Sequence, residues 1–233
     1  MDGENVLKEG ISLYNGGNYQ DALAFFASLP DDCEVDTEEL TYYLGLCCFK
    51  LKRYDDAMTC LEQVVTTFYD KNDYSRDDRV LQCRYILAVI YCLTGRKNLA
   101  DFELKKLLET GYRPSSVYSS LAYLYWQQGK TESCLDYYEK ALQEDGENAT
   151  ALNGIGYVLA CQGEDLTRAL TCCKKALSSR PESAACLDSL GWVYFKLGLY
   201  SEAGKFLRKA AEADMANPTI SSHLQELQRA QQE

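Results

Sequence analysis

The sequence is poor in the residues that transfer protons in enzymes and in those that interrupt helices. It contains one histidine, His223, and four prolines among 233 residues. It has no glycine-rich loop that could hold a phosphate, and its carboxylates are scattered over polar helix faces. Catalysis needs a nucleophile or a base held by a partner group. We therefore expect that the protein is not an enzyme.

Positive charge is also scarce, since 24 lysines and arginines stand against 35 aspartates and glutamates, a net charge of −11. A nucleic-acid-binding protein needs a basic face to neutralise phosphates, and no dense basic run occurs, so we expect no nucleic acid partner. No apolar run approaches the ~18 residues of a membrane span. The N-terminus, MDGENVLKEG, lacks a basic segment followed by an apolar core. The predicted location is cytoplasmic, without membrane insertion.

Cysteine is plentiful, but its spacing does not fit a metal site. The 11 cysteines include the adjacent pairs Cys47–Cys48 and Cys172–Cys173, and none has the C-x2-C spacing of zinc ligands. An odd number of cysteines in a chain of this length suits a reducing compartment. We predict free thiols that pack as small apolar side chains, with no metal and no cofactor.

The stretch 184–214 shows the pattern around which the chain is organised. Its first half carries apolar or small residues at i, i+3, i+4 and i+7, one face of a helix. These residues are Leu187, Leu190, Gly191 and Tyr194. Gly198 marks a turn, and the second half continues with Ala203, Leu207 and Ala210. The small residues in each half would let two helix backbones approach closely.

This order, L-x2-L-G-x2-Y followed by A-x3-L, resembles the tetratricopeptide repeat (TPR), a helix-turn-helix unit, and it recurs along the chain. The corresponding small residues of the second helices are Ala22, Ala57, Ala100, Cys134, Ala169 and Ala203. Neighbouring members are 34 or 35 residues apart, except for one step of 43. The resemblance implies an all-α fold, a right-handed superhelical array of antiparallel helix pairs.

On this resemblance the whole chain, 1–233, is a single TPR array. Its six units are expected at about 4–30, 37–69, 79–112, 115–147, 149–182 and 184–214. The one longer step indicates an insertion of about nine residues within 69–78. A calcium-loop interpretation of this insertion fails, because an EF-hand needs a ligand at Tyr74 and a glycine at Ser75.

The C-terminal end of the array carries the pattern of a capping helix, expected at 218–231. Asn217 and Pro218 suit the N-cap and the first helical position. The apolar residues that follow form one stripe, Ile220, Leu224 and Leu227. A helix that is apolar on one face and polar on the other is expected to cover the last repeat.

The resemblance also implies that the first helix of each pair lines a concave groove. Helical phase places ten mostly aromatic residues toward it, Tyr42, Phe49, Tyr85, Tyr123, Trp126, Asn153, Tyr157, Asp188, Trp192 and Phe195. Tyrosine and tryptophan are favoured anchors at interfaces. For any single residue, filling space between neighbouring repeats is the alternative role.

The expected function is a non-catalytic protein-interaction module or scaffold that binds a partner segment in this aromatic groove. The expected segment is apolar and neutral to basic, because few positive charges accompany the groove. One TPR subclass holds chaperone tails in a carboxylate clamp, which is absent at the corresponding positions, Leu7, Ile11, Tyr43, Gln82 and Ile86. The alternative is an accessory or regulatory subunit, or a dedicated chaperone, of an enzyme or of a secretion or assembly complex.

Overall fold

Thirteen α-helices follow one another in the computed structural model, which describes residues 3–30, 35–69 and 78–232, and no strand occurs in those ranges. The prediction of an all-α array of helical repeats is confirmed. Within the same ranges, no helix combines the length and apolar character needed to cross a membrane. The chain divides into two compact units, Met1–Tyr112 and Arg113–Glu233.

The first unit holds three helix pairs. In chain order they are α1 (Gly3–Asn15) with α2 (Tyr19–Ala27), α3 (Thr37–Lys50) with α4 (Tyr54–Tyr69), and α5 (Asp78–Leu93) with α6 (Lys97–Thr110). The carboxylate of Asp36 caps α3 by accepting hydrogen bonds from the backbone N–H groups of Glu38 and Glu39, at 2.9 and 3.1 Å. The predicted insertion at 69–78 lies, apart from its two end residues, outside the described residues.

Small residues bring the helices of a pair together in this unit. A Cβ atom added to Gly45 of α3 would lie 2.9 Å from Leu61 Cδ2 of α4. Leu61 is fully buried, as is the small residue Ala57 on the same helix. Glycine at this position therefore lets the leucine of the second helix pack against the backbone of the first.

The second unit holds three further pairs and a final helix. They are α7 (Pro114–Gln127) with α8 (Thr131–Glu144), α9 (Ala149–Gln162) with α10 (Leu166–Ser179), α11 (Ala184–Lys196) with α12 (Tyr200–Ala213), and α13 (Pro218–Ala230). A Cβ atom at Gly191 of α11 would lie 2.8 Å from Leu207 Cγ of α12. The turn between these helices contains Gly198 with φ at 75°, a left-handed conformation that glycine adopts without strain.

The last helix, α13, covers the end of the second unit as the apolar stripe predicts. Asn217 caps it, because its side-chain oxygen accepts a hydrogen bond from Thr219 N at 3.1 Å. Ile220 packs with Leu187 and Ala210, and Leu227 packs with Ala203 and Leu207. Leu224 is half-buried between these two clusters.

The cysteines at predicted packing positions are buried thiols. Cys48, Cys134 and Cys173 are free, and all three are buried. Burial raises the pKa of Cys134 to about 12, which keeps this thiol protonated and unreactive near neutral pH. Over the described ranges, the structure contains no group of three or more histidine, cysteine or acidic residues that could hold a metal ion.

Candidate functional site

A cavity of about 550 Å³ opens in the second unit, along the first helices of its three pairs. Five of the ten residues predicted for the groove line it, Tyr123 and Trp126 of α7, Asn153 and Tyr157 of α9, and Asp188 of α11. The start of α13 contributes Asn217, Thr219 and Ile220 to the same lining. Pockets of roughly 300–1,000 Å³ are of the size that holds a drug-sized ligand, so the cavity has room for a few residues of an extended segment.

Helical spacing explains why these side chains meet. Asn153 and Tyr157 are four residues apart on α9 and therefore lie on the same face. Gly154, between them, is covered by the ring of Tyr138 from α8, and a Cβ atom at this glycine would overlap the Tyr138 ring. The absence of a side chain at Gly154 thus lets a second-helix tyrosine form the floor of the cavity.

Aromatic rings form one wall. The rings of Trp126 and Tyr157 meet edge to face with centroids 6.0 Å apart and planes at 81°. Burial is the main cause that raises the pKa of Tyr157, so its hydroxyl stays protonated. Tyr123, one turn before Trp126 on α7, is 39% exposed. The wall therefore combines a packed aromatic pair with one ring that is open to a partner.

A buried pair of polar residues lies beside the cavity, which one of them, Asp188, lines. His223 of α13 donates from Nδ1 to Asp188 of α11, at 2.9 Å to Oδ1 and 3.1 Å to Oδ2. Nδ1 is assigned as the donor because an ionised carboxylate only accepts hydrogen bonds. Both side chains are buried. The contact ties α13 to α11 at the point where Asp188 borders the cavity.

Two of the predicted groove residues lie behind this pair instead of on the cavity wall. The ring of Trp192 stacks on His223 with centroids 4.0 Å apart, and on Phe195 at 4.8 Å. Trp192 is only 5% exposed, and Lys196 Nζ lies 4.5 Å from the centre of its ring. Trp192 and Phe195 therefore do not line the cavity, because they pack against residues of α13.

The remaining three predicted residues belong to the first unit and do not line the cavity. Tyr42 is buried, with the guanidinium carbon of Arg79 5.3 Å from the centre of its ring. Phe49 is half-buried beside Tyr54, at a ring separation of 6.5 Å. Tyr85 is half-buried as well, and its ring centre lies 6.4 Å from that of Tyr112. Each of these rings thus contacts an aromatic or cationic neighbour in the first unit, and a groove role for them stays a prediction.

Sequence reasoning missed His223 as the partner of the lining residue Asp188. It lies three residues after Ile220 and four before Leu227, so it shares the apolar stripe of α13. A lone histidine within an apolar stripe needs a buried partner for its polar ring. That signal was available in the sequence, although the identity of the partner, Asp188, depends on how α13 packs.

The polar groups of the cavity lining differ in exposure. Asn153 Oδ1 is buried and accepts no hydrogen bond from any described residue. The other polar groups of the lining include Arg180, which donates from Nη1 to Thr150 Oγ1 at 3.0 Å and is itself exposed. The Asn153 oxygen is therefore shielded from solvent, whereas Arg180 presents an exposed cation in the lining.

Two family models match parts of this chain. The model described as tetratricopeptide repeat matches residues 120–184 and 162–218, and that of anaphase-promoting complex, cyclosome, subunit 3 matches residues 2–64. Together with the six helix pairs and the final helix of the described residues, these matches identify the chain as a tetratricopeptide repeat protein. Proteins of this class mediate protein–protein interaction and are typically non-catalytic.

Among curated proteins, the type IV pilus assembly protein PilF of Pseudomonas aeruginosa is 26% identical over 161 residues, 67% of this chain and 62% of the relative. The photosystem I assembly protein Ycf3 of a Synechococcus strain is 30% identical over 117 residues, 46% of this chain and 63% of that protein. A TPR repeat-containing protein of P. aeruginosa is 32% identical over 36% of this chain and 14% of its own length. The chain thus spans less than two thirds of each of these relatives.

Solved structures share the fold at low sequence identity. A thermophilic TPR protein of Thermus thermophilus superposes with a TM-score of 0.65 at 23% identity, over 82% of this chain and 98% of that one. A chain of an APC/C hetero-tetramer superposes with a TM-score of 0.73 at 12% identity, over 95% of this chain and 42% of that one. At these identities the likeness concerns the fold alone.

Proposed function

We propose that this protein is a non-catalytic interaction module that binds a segment of a partner protein in the cavity of its second unit. The observation that carries the proposal is the convergence of Tyr123, Trp126 and Tyr157 on a cavity of about 550 Å³. Tyrosine and tryptophan contribute much of the binding free energy at protein interfaces, especially when they surround a pocket from which water is displaced.

The partner segment is apolar and neutral to basic, and the protein works in the cytoplasm. The net charge of −11 and the carboxylate of Asp188 at the cavity end both disfavour an acidic segment. A chaperone tail is not the expected ligand, because it ends in a carboxylate and the clamp residues that would hold it are replaced by apolar and neutral ones.

A second candidate role is that of a dedicated assembly factor or accessory subunit. The names of two relatives, a pilus assembly protein and a photosystem I assembly protein, favour this alternative. An adaptor would bind several partners through a short shared motif, whereas a dedicated factor would co-purify with one partner at fixed stoichiometry. Affinity purification followed by mass spectrometry distinguishes the two roles.

Calorimetry with the partner so identified tests the cavity itself. Trp126→Ala is expected to weaken binding by about 2 kcal/mol or more, because a large ring would be lost from the wall. Phe102→Ala is the matched control, since Phe102 is an exposed aromatic residue of the first unit. Circular dichroism establishes that both variants are folded. Equal affinity of wild type and Trp126→Ala would show that the partner binds elsewhere.

A further inference from the structure

We propose that the exposed face of α6 is a self-association surface, on which a second copy of this chain packs its own α6 in the antiparallel direction to form a two-fold dimer. The surface is the α6 stripe, a row of four exposed side chains, Leu99, Phe102, Lys106 and Glu109. The stripe belongs to the first unit, so this inference is independent of the function proposed for the cavity of the second unit.

The first step compares α6 with the second helices of the other repeats. Leu99 and Phe102 are 50% and 56% exposed. In the other repeats the position of Leu99 is polar, and its residues are Asp21, Asp56, Ser133, Arg168 and Glu202. The position of Phe102 carries a small or polar residue, Ala24, Thr59, Asp136, Thr171 or Lys205. The repeat therefore does not require large apolar side chains at these positions, and two neighbouring ones in water indicate a contact surface.

The second step concerns spacing. The residues of the α6 stripe follow one another at intervals of three, four and three residues, the spacing of side chains between two packed helices. A helix rises about 1.5 Å per residue, so the stripe is about 15 Å long. In an antiparallel pair, Phe102 would meet Phe102 of the second copy at the two-fold axis. The apolar stem of Lys106 would lie against Leu99 of the second copy.

The third step concerns charge. Arg96 and Lys97 are at the start of α6 and Glu109 is near its end, the reverse of the arrangement that the helix dipole favours. The N-cap residue Arg96 makes no capping hydrogen bond with its side chain. In an antiparallel pair, Glu109 of each copy would lie near the start of the other α6, where the dipole and Arg96 attract a carboxylate. A parallel pair would bring like ends together, so the charges favour the antiparallel one.

A depression at the start of α6 offers room for this contact. It measures about 320 Å³ and is lined by the consecutive residues 95–99. Within a single chain, Glu109 pairs with Lys106 Nζ at 2.9 Å, and the two side chains are 65% and 48% exposed. An ion pair this exposed contributes little to stability. The Glu109 carboxylate can therefore exchange Lys106 for the start of α6 in the second copy.

The size of the α6 stripe sets the expected strength of the dimer. One helix pair about 15 Å long buries less surface than the standard interface of about 1,600 Å². We therefore expect a weak dimer, with a Kd on the order of 100 μM. Each copy uses the same stripe on both sides of the two-fold axis, so association stops at the dimer.

Sedimentation velocity of the whole chain, from about 5 to about 500 μM, measures the association. Phe102→Asp places two carboxylates at the two-fold axis and is expected to weaken dimerisation about tenfold or more. Thr59→Asp is the matched control, because it adds the same charge at the equivalent exposed position of α4, and it is expected to have little effect. Glu109→Gln is expected to weaken dimerisation about threefold. Circular dichroism checks the fold of each variant.

Oxidative crosslinking tests the antiparallel register. Phe102→Cys is expected to give a disulfide-linked dimer, because the same residue of both copies meets at the axis. Leu99→Cys mixed with Lys106→Cys is expected to crosslink, whereas Leu99→Cys by itself is expected to stay largely monomeric. Thr59→Cys and the wild type, which has 11 cysteines of its own, give the background.

The inference would be overturned by a wild type that stays monomeric over the whole concentration range. A dimer that responds equally to Phe102→Asp and Thr59→Asp would also contradict it, because added negative charge would then explain the effect. Crosslinking of Leu99→Cys with itself as efficiently as with Lys106→Cys would rule out the antiparallel pairing.

Discussion

The two compact units use the same repeat, yet they differ at one position of their first helices. It corresponds to the position of Asp188, which directly follows Leu187. In the first unit it is Leu7, Tyr42 and Tyr85, whereas in the second it is Ser119, Asn153 and Asp188. Leu7 and Tyr42 are buried and Tyr85 is half-buried, whereas Asn153 and Asp188 line the cavity of the second unit. The comparison teaches that this cavity is lined by small polar side chains at a position where the first unit carries large ones.

The largest loss of stability is expected from disturbing the buried pair of Asp188 and His223. Asp188→Ala leaves the ring of His223 buried without an acceptor and is expected to cost about 3–5 kcal/mol of unfolding free energy. Chemical denaturation measures the loss, and hydrogen exchange should show it first in α11 and α13. The control is Asp136→Ala, which removes an exposed carboxylate 2.7 Å from Lys140 Nζ and should cost at most about 1 kcal/mol. Unchanged protection of residues 218–230 would contradict this role of the pair.

A second variant gives Tyr42 of the first unit the residue type of Asn153, its counterpart in the second unit. Tyr42→Asn removes a buried ring that packs 5.2 Å from the ring of Tyr43, and is expected to destabilise the protein by about 2–4 kcal/mol. Phe102→Asn, at an exposed position of the same unit, should have a small effect. Denaturant unfolding followed by circular dichroism compares the variants. Equal stability of the two would mean that Tyr42 is not a packing residue.

The reciprocal substitution, at Asn153, tests the same position in the second unit. Asn153→Tyr places the side chain type of Tyr42 and Tyr85 in the cavity and is expected to fill part of it. We expect unfolding free energy to change by about 1 kcal/mol or less and partner affinity to fall about tenfold. Asn98→Tyr, on the exposed face of α6, is the matched control. Undiminished binding to folded Asn153→Tyr would place the partner outside the cavity.

A pH-dependent effect is expected from what the units share, their buried thiols. Burial raises the pKa of Cys47 and of Cys92 from the ordinary 9.0 to about 11. The unfolded chain therefore loses these protons at lower pH than the folded chain does. Between about pH 9 and pH 11 the folded state binds more protons, so stability falls as pH rises.

Unfolding free energies measured across this pH range test the effect of the thiols. Cys47→Ala and Cys92→Ala should each make the decline shallower, because one titrating group is then absent from both states. In the second unit, burial raises the pKa of Cys173 in the same direction. An identical slope in wild type and both variants would show that other groups cause the decline.

The fold followed from the sequence because it depends on local spacing. Small residues were expected to let paired helices approach closely, and Gly45 and Gly191 do lie against large residues of the paired helix. These positions are specified by the 34-residue period, since a second helix can approach only where the first carries a small residue. The start of α13 at Pro218 was predicted for a similar reason, because capping is a matter of adjacent residues.

The site could be predicted only in part, because it depends on packing between distant elements. Helix phase alone places Tyr123, Trp126 and Tyr157 on one face of their helices. It does not show that α13 covers Trp192, which requires knowing the angle at which the last helix packs. Nor does it distinguish Tyr42 from Asn153, although the size of the side chain at this position carried that information.

The stack of Trp192 on His223 also gives the protein two separate optical reporters. The chain has only two tryptophans, and they lie in different environments. Trp126 borders the cavity, so its emission responds to occupancy, whereas Trp192 lies between Phe195 and the imidazole and responds to detachment of α13. Single-tryptophan variants made with Trp126→Phe and Trp192→Phe would therefore let one record ligand arrival and C-terminal opening as two independent fluorescence signals.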